Sequence, residues 1–372
     1  MAMDRAALRE TIEVRARELG FALVGVARAA PASRAAELRR WLADGKHGEM
    51  QWIAERVEQA VDVRTMLKGA RSVVCVADRY HDGRPDRVDA DAARPRGRIA
   101  RYARGKDYHD LIRDRLRRLG RTIRELSPGC ETRLTGDMHP ILEREQAARA
   151  LLGAIGKHTL MIHPARGSWF LLGEIVTDAD IAASDESPRA RAIPEGDLCG
   201  GCTRCIDACP TEAITPYSVD ARRCIAYLTI EHRGEIPAEF FGKTADWWFG
   251  CDICQEVCPH SQPTRASRRA GANPAHAPRL DSVDLLEVLG WTEEDRARLV
   301  VSSALKRATL AMMKRNALLA LSAALRHAPA AEAAAIRARA AAIAADPAED
   351  AMVRAAAAAL CESAPLPLKP QA

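Results

Sequence analysis

Eight of the eleven cysteines fall between Cys199 and Cys258, and this crowding constrains the chain more than any other feature. A stretch so rich in thiols is poor material for an apolar core, so it is expected to close around something. Disulfides are not expected. The first turn is already charged and no apolar leader follows it, so the chain is read as cytoplasmic, where thiols stay reduced. No run approaches the roughly 18 apolar residues of a membrane span, so no membrane partner is expected. Free thiols at short, fixed spacings ligate metals. Cys75, Cys130 and Cys361 lie outside the window and carry no ligand spacing. Cys75, in an apolar strand, reads as a small core residue.

The spacing narrows the metal. Cys199, Cys202, Cys205 and Cys209, followed by Pro210, spell C-x2-C-x2-C-x3-C-P, the iron–sulfur run of bacterial ferredoxins. Three close thiolates hold three corners of a cubane, and the fourth, one residue further on, reaches a second cluster. Cys251, Cys254 and Cys258-Pro259 repeat the ending of that run, and Cys224 stands where the last ligand must come from. Cross-ligation then predicts two [4Fe-4S] clusters. The first takes Cys199, Cys202, Cys205 and Cys258, and the second Cys209, Cys224, Cys251 and Cys254. A pair of zinc sites is the alternative, since zinc also takes four thiolates. Zinc ligands usually come as separated C-x2-C pairs, and zinc does not account for a proline after the last cysteine of both runs. Adjacent cubanes form a path for electrons, and a path needs an acceptor.

The rest of the chain supplies the setting. With 372 residues, 48% hydrophobic and 28% charged, it can bury a sizeable core, and wholesale disorder is excluded. Three units are expected. Residues 1–185 alternate strand-like runs (Phe21 to Ala27, Ser72 to Ala77, Thr159 to His163, Phe170 to Thr177) with a helix whose Ile112, Leu116, Leu119, Ile123 and Leu126 share one face. Arginines 113, 115, 117, 118, 121 and 124 occupy the remainder of that helix. This is an α/β or α+β domain, and the run from Asp78 to Arg98 reads as a mobile loop. Residues 186–262 form a bacterial-ferredoxin-like two-cluster module. Residues 263–372 are alanine-rich helices near 302–327, 330–344 and 347–362, parted by Pro329 and Pro347. They fit a HEAT-like repeat array or a single bundle. The net charge of +5 hides an asymmetry: the cysteine unit holds 7 basic and 12 acidic residues, while residues 71–124 hold 16 basic and 8 acidic. Such a basic excess is either a polyanion-binding surface or a solvated face.

Cys199 to Ile214 (CGGCTRCIDACPTEAI), Cys224-Ile-Ala-Tyr-Leu-Thr229, Phe249-Gly-Cys-Asp-Ile-Cys-Gln255 and Val257-Cys-Pro259 resemble the corresponding stretches of the epoxyqueuosine reductase family. Upstream landmarks agree and keep the family's order: His47-Gly-Glu-Met-Gln-Trp52, Ala100-Arg-Tyr-Ala-Arg-Gly-Lys-Asp-Tyr-His109, Pro140-Ile-Leu-Glu-Arg144, Ile155-Gly-Lys157 and Gly167-Ser-Trp-Phe170. The resemblance covers residues 47 to 259 and is more specific than the cluster motif alone.

The resemblance implies a monomeric cobalamin enzyme that reduces epoxyqueuosine to queuosine at the wobble position of a tRNA anticodon. An external low-potential donor would feed electrons through the two clusters to cobalt, the cobalamin being bound without its lower base. The family's proton donor, three residues before the Pro-x-Leu-Glu-Arg proline, falls on Asp137, which without the resemblance reads as a loop residue making its own turn. Implied corrin contacts are Asp137, Met161, Leu172, Ala226, Gln255 and Glu256, with ordinary core packing as the alternative for the apolar ones. Asp137-Met-His139 begins like the D-x-H-x-x-G cobalt-ligating motif, but the glycine position is Leu142. Candidate tRNA contacts are Arg101, Arg104, Lys106, Arg144, Lys306, Arg307, Lys314 and Arg315, with Tyr102 and Tyr108 flanking an extruded base or simply packed. The chain departs from the family pattern at Ala60-Val-Asp62-Val63, at Ala154 and at Ser261. Two other functions remain: a reductive-dehalogenase-like corrinoid reductase of a small molecule, and a non-catalytic ferredoxin-type carrier. Neither calls for a basic flank of this size, and a carrier has no use for the residues before the clusters.

Overall fold

A strand that is apolar at successive positions must be covered on both faces. Ser72–Arg79 is such a strand, buried at every position, and it lies inside a four-stranded sheet in the order Leu23–Arg28, Ser72–Arg79, Phe170–Thr177, Thr132–Thr135. The computed structural model describes residues 3–86, 94–137, 139–188, 190–191, 197–265, 269 and 271–363. All neighbours in this sheet are antiparallel, so of the two fold readings it is α+β. Val74, Val76 and Ile175 point to one side, where helices Arg5–Glu18 and Tyr108–Leu126 cover them with Leu8, Ile12, Ile112, Leu116, Leu119 and Ile123. Val73, Cys75, Ala77 and Val176 point to the other side, toward Ala147 of helix Glu143–Arg149.

Three local expectations change. The run Thr159 to His163 yields only the two-residue strand Met161–Ile162, paired with Ala154–Ile155. The edge strand Thr132–Thr135 was not foreseen, because Thr-Arg-Leu-Thr is too short and too polar to signal one. Of the expected loop 78–98, Asp78 and Arg79 continue a strand, Arg96–Ile99 forms another, and 87–93 lie outside the described residues. Arg115 is also misplaced by the face analysis. It is buried, pairs with the fully buried Asp78 and stacks 4.7 Å over Phe21.

A second sheet joins the three parts of the chain. Arg96–Ile99 pairs in parallel with Trp247–Phe249 and antiparallel with Ser282–Asp284. One continuous core follows, running from Ile99 through Leu228, Trp248 and Phe249 to Leu285, Met313 and Leu318. It crosses both unit boundaries anticipated from the sequence. Helix Leu310–Ala324 is buried on nearly all sides and packs against helix Ala351–Glu362, on which helix Ala330–Ala345 packs in turn. Among the described residues no helix is long and apolar enough to cross a membrane.

Candidate active site

Cys199, Cys202, Cys205 and Cys258 line a single cavity of about 40 Å³, together with His158, Pro259 and His260. These are the four cysteines that cross-ligation assigns to one cluster. Short helices Arg204–Asp207 and Ile253–Glu256 bring the two ends of the unit together. Burial, reinforced by Cys199, Cys258 and Cys202, pushes the Cys205 thiol up to about 11. The other four also fall together. Cys224 feels Cys209, Cys251 feels Cys254 and Cys224, and Cys254 feels Cys224, Cys205 and Cys209, while burial raises the thiols of Cys224, Cys251 and Cys254. Buried thiols resist ionisation unless a cation is bound among them, so this donor set suits a metal group that supplies positive charge. Among the described residues no three His, Cys, Asp or Glu side chains are gathered tightly enough to hold a single ion. The first quartet instead rings a space, as the ligands of a multi-atom cluster must.

Asp137 follows two residues after the edge strand Thr132–Thr135. Asp137, with its side chain 42% exposed, accepts a hydrogen bond from the Tyr108 hydroxyl and lies 3.2 Å from His109 Nε2. His109 Nδ1 is 2.6 Å from Asp107 Oδ1, and Asp107 in turn caps helix Tyr108–Leu126 and takes Lys306 Nζ at 2.5 Å. A row of alternating charge therefore runs Asp137, His109, Asp107, Lys306. Tyr108 stacks on His109 at 4.0 Å and meets Tyr102 edge-on at 5.7 Å. Burial alone would lower His109, but its hydrogen bonds to Asp107 and Asp137 win and raise it to about 9. A pKa raised on folding stabilises fully below the unfolded value of ~6.5 and ceases to do so as pH climbs through the folded one. Between those limits, wild-type protein is expected to lose thermal stability relative to His109→Gln as pH rises, which calorimetry at matched ionic strength would read. A pH-independent difference between the two would contradict this charge row.

Behind Asp137 lie two carboxyls that the sequence analysis did not single out as acids. Glu174 is fully buried opposite Cys75 on the central strand and accepts from Thr135 Oγ1 at 3.2 Å. Glu143 opens helix Glu143–Arg149, with its Oε1 4.0 Å from where a Cβ on Gly136 would stand. The Oε1 atoms of both are buried without a hydrogen-bond partner among the described residues. Burial raises both; the charges of Glu174 and Asp137 lift Glu143 further, and Asp137 lifts Glu174, which reaches about 8. Both carboxyls are thus biased toward the protonated form at neutral pH. The signal was available: a lone glutamate in Phe-Leu-Leu-Gly-Glu-Ile-Val-Thr sits where an apolar residue belongs.

Several candidate tRNA contacts are turned inward. Arg101 sits among Asp86, Asp252 and Glu256, with its guanidinium 4.8 Å over Trp169. Arg104 binds Asp86 at 2.7 Å and the Ile99 carbonyl. Arg315 is 0% exposed and donates to the carbonyls of Leu228, His232 and Gly234. Lys314 is mostly buried against Glu349. These four serve the fold, because segment charge counts do not distinguish a solvated cation from one neutralised across the chain. Lys106, Arg144, Lys306 and Arg307 do reach the surface. Arg144 donates to Thr159, and Arg307 binds Glu231 and lies 5.2 Å over Trp52.

The corrin candidates divide likewise. Met161 is buried in the core beside Cys75 and Val176, so packing accounts for it. Leu172 is half-buried on that face with Phe170, and Ala226 is half-buried on helix Ile225–Ile230. Gln255 is buried and bonded to Ser168 and Tyr80, while Glu256 is engaged by Arg98 and Arg101.

Residues 198–261 match the 4Fe-4S double cluster binding domain, which places the molecule among iron–sulfur oxidoreductases. Residues 61–137 match the family described as epoxyqueuosine reductase QueG, DUF1730. The epoxyqueuosine reductase of Synechococcus sp. (strain RCC307) is 40% identical over 320 residues, 84% of this chain and 93% of that one. Solved structures agree. A selenomethionine-labelled epoxyqueuosine reductase superposes with a TM-score of 0.79 at 25% identity, covering 94% of this chain and 88% of the other. One holding a tRNA-Tyr epoxyqueuosine-modified stem loop superposes with 0.77 at 25% identity, covering 95% and 89%. The chain belongs to the epoxyqueuosine reductase family.

Proposed function

We propose that this chain reduces the epoxide of epoxyqueuosine in a tRNA anticodon to the alkene of queuosine, with Asp137 as the proton donor. The observation that carries the reading is the Asp137 group: a carboxyl held by Tyr108 and His109 at the rim of a site with two buried carboxyls behind it. Removing the epoxide oxygen as water consumes two electrons and two protons, both protons ending on that oxygen. Asp137 delivers them, Tyr108 and His109 fix its orientation, and Glu143 with Glu174 keeps a proton close by. Electrons would enter from an external low-potential donor through the two clusters.

Cobalamin fits the residues present. The half-buried Phe170 and Leu172 leave an apolar wall incompletely covered, and the buried, unpartnered Glu143 Oε1 offers an acceptor to an amide N–H. Leu172, Ala226 and Gln255 would hold the group, with Met161 backing the wall from the core and Glu256 and Asp137 at its edge. When bound, it would supply a strongly nucleophilic, low-potential metal centre. Anaerobically purified protein should carry cobalamin absorption bands and retain tRNA. Iron without cobalamin would overturn the reading.

The ligand assignment makes a sharper forecast. Cys258→Ser should remove the same cluster signal as Cys202→Ser, although the two cysteines are far apart in sequence, and Cys209→Ser should remove the other. Electron paramagnetic resonance of the reduced variants reads this directly. Loss of one cluster by both Cys202→Ser and Cys209→Ser would favour ligation in sequence order instead. For tRNA, Lys106 is the exposed cation beside the Asp107 row. Lys106→Ala should lower the slope of log K against log salt by about one, as for a single phosphate contact. An unchanged slope would remove Lys106 from the interface.

A further inference from the structure

The hairpin from Ala154–Ile155 to Met161–Ile162 turns through Lys157, His158 and Thr159, whose φ is +68°. Its tip is applied to the first cysteine quartet. The Lys157 amide donates to Cys199 Sγ at 3.4 Å, and its Nζ donates to the carbonyls of Gly200 at 2.8 Å and Cys202 at 3.0 Å. His158 follows, 3% exposed, and lines the same cavity as Cys199, Cys202, Cys205 and Cys258. Gly156 leaves room for the ring: a Cβ there would stand 3.2 Å from His158 Cε1.

The ring's protonation follows from its contacts. His158 Nδ1 accepts the Leu160 amide at 3.1 Å, which leaves the proton of the neutral imidazole on Nε2. Nε2 is therefore a donor, and it is buried with no hydrogen-bond partner among the described atoms. Leaving a buried N–H unsatisfied is costly, and folded proteins seldom do so. The acceptor expected within reach is sulfur, because thiols wall the cavity that the ring faces.

We propose that His158 Nε2–H donates a hydrogen bond to a sulfur of the cluster held by Cys199, Cys202, Cys205 and Cys258, and thereby sets that cluster's reduction potential above the value it would otherwise have. The proposal rests on the two-cluster reading and goes beyond it by assigning a residue that tunes one cluster from outside the cysteine unit. Reduction adds negative charge to the cluster, and an N–H aimed at sulfur stabilises the more negative state, so donors raise the potential. His158 is thus a positioning and tuning residue. It lies on the α+β unit, so the first cluster reaches its working potential only when that hairpin is docked.

The test is an anaerobic redox titration followed by electron paramagnetic resonance. His158→Leu should shift one cluster to lower potential and leave the other unmoved, with iron and sulfide content unchanged. His158→Gln, which keeps a side-chain N–H, should recover most of the shift. Unchanged potentials in the leucine variant, or equal shifts in both clusters, would overturn the proposal. Should the leucine variant lose the cluster, His260→Gln protein labelled with nitrogen-15 histidine decides, since His260 lines the same cavity: pulsed resonance must detect a weak histidine nitrogen coupling to one reduced cluster, and its absence refutes the bond. Iron content short of two cubanes in wild-type protein would instead refute the two-cluster reading.

Discussion

Asp137→Asn is expected to lower epoxide reduction by about 10²- to 10⁴-fold, the usual contribution of a positioned acid, while both clusters assemble and the protein melts close to wild type. Asparagine keeps the shape of the carboxyl and an oxygen that can accept from Tyr108, so the loop should hold. It has no proton to give. Single-turnover assays with pre-reduced protein isolate this step from electron supply, and near-normal turnover would remove Asp137 from the chemistry. The surroundings give the variant its meaning. His109 loses one of the two carboxylates that raise it to about 9, so its folded pKa falls and the small stability cost of the change should be greatest below ~6.5 and shrink as pH rises toward 9.

Arg315→Ala is the largest expected stability effect, and it follows from a residue that looked like a surface cation. Its guanidinium is 0% exposed and satisfies carbonyls of Leu228, His232 and Gly234 at 2.8, 2.9 and 2.6 Å. Truncation strands the buried Leu228 carbonyl, at ~1–3 kcal/mol before relaxation, and takes the donor from the half-buried His232 and Gly234 carbonyls, so a loss on the order of 3–5 kcal/mol is expected, as for breaking a buried charged network. Denaturant titration of the variant measures it. Arg117→Ala, on the exposed face of helix Tyr108–Leu126, provides the contrast and should stay within ~0.5 kcal/mol. Equal effects would mean that Arg315 is not the linchpin these contacts make it.

The difference between those two arginines marks what sequence can carry. The double-cluster unit was legible because the Cys-x2-Cys spacing is a short-range property of the chain, and the run Ser72 to Ala77 was legible because no half-wet strand is so uniformly apolar. The helix face of Ile112, Leu116, Leu119 and Ile123 was equally readable from its period. Charge was not. Lys314 and Arg315 are neighbours in sequence, yet one meets Glu349 and the other three carbonyls from residues 228–234. Their fates depend on partners brought in by folding. Glu174 stands out in its strand as a lone charge, but its neighbours do not, because Asp137 and Glu143 are brought to it only by the edge strand and the helix that follows.

The sheet built from Trp247–Phe249, Arg96–Ile99 and Ser282–Asp284 bears on how the molecule fails. Its outer strand ends two positions before Cys251, so the backbone that pairs with the front of the chain also anchors a thiol of the second quartet. On the proposed ligand assignment, loss of iron from Cys251 is expected to loosen that pairing and expose the buried Trp247 and Trp248. Restoring the iron would require this strand to re-pair with its neighbour, which ties repair to refolding.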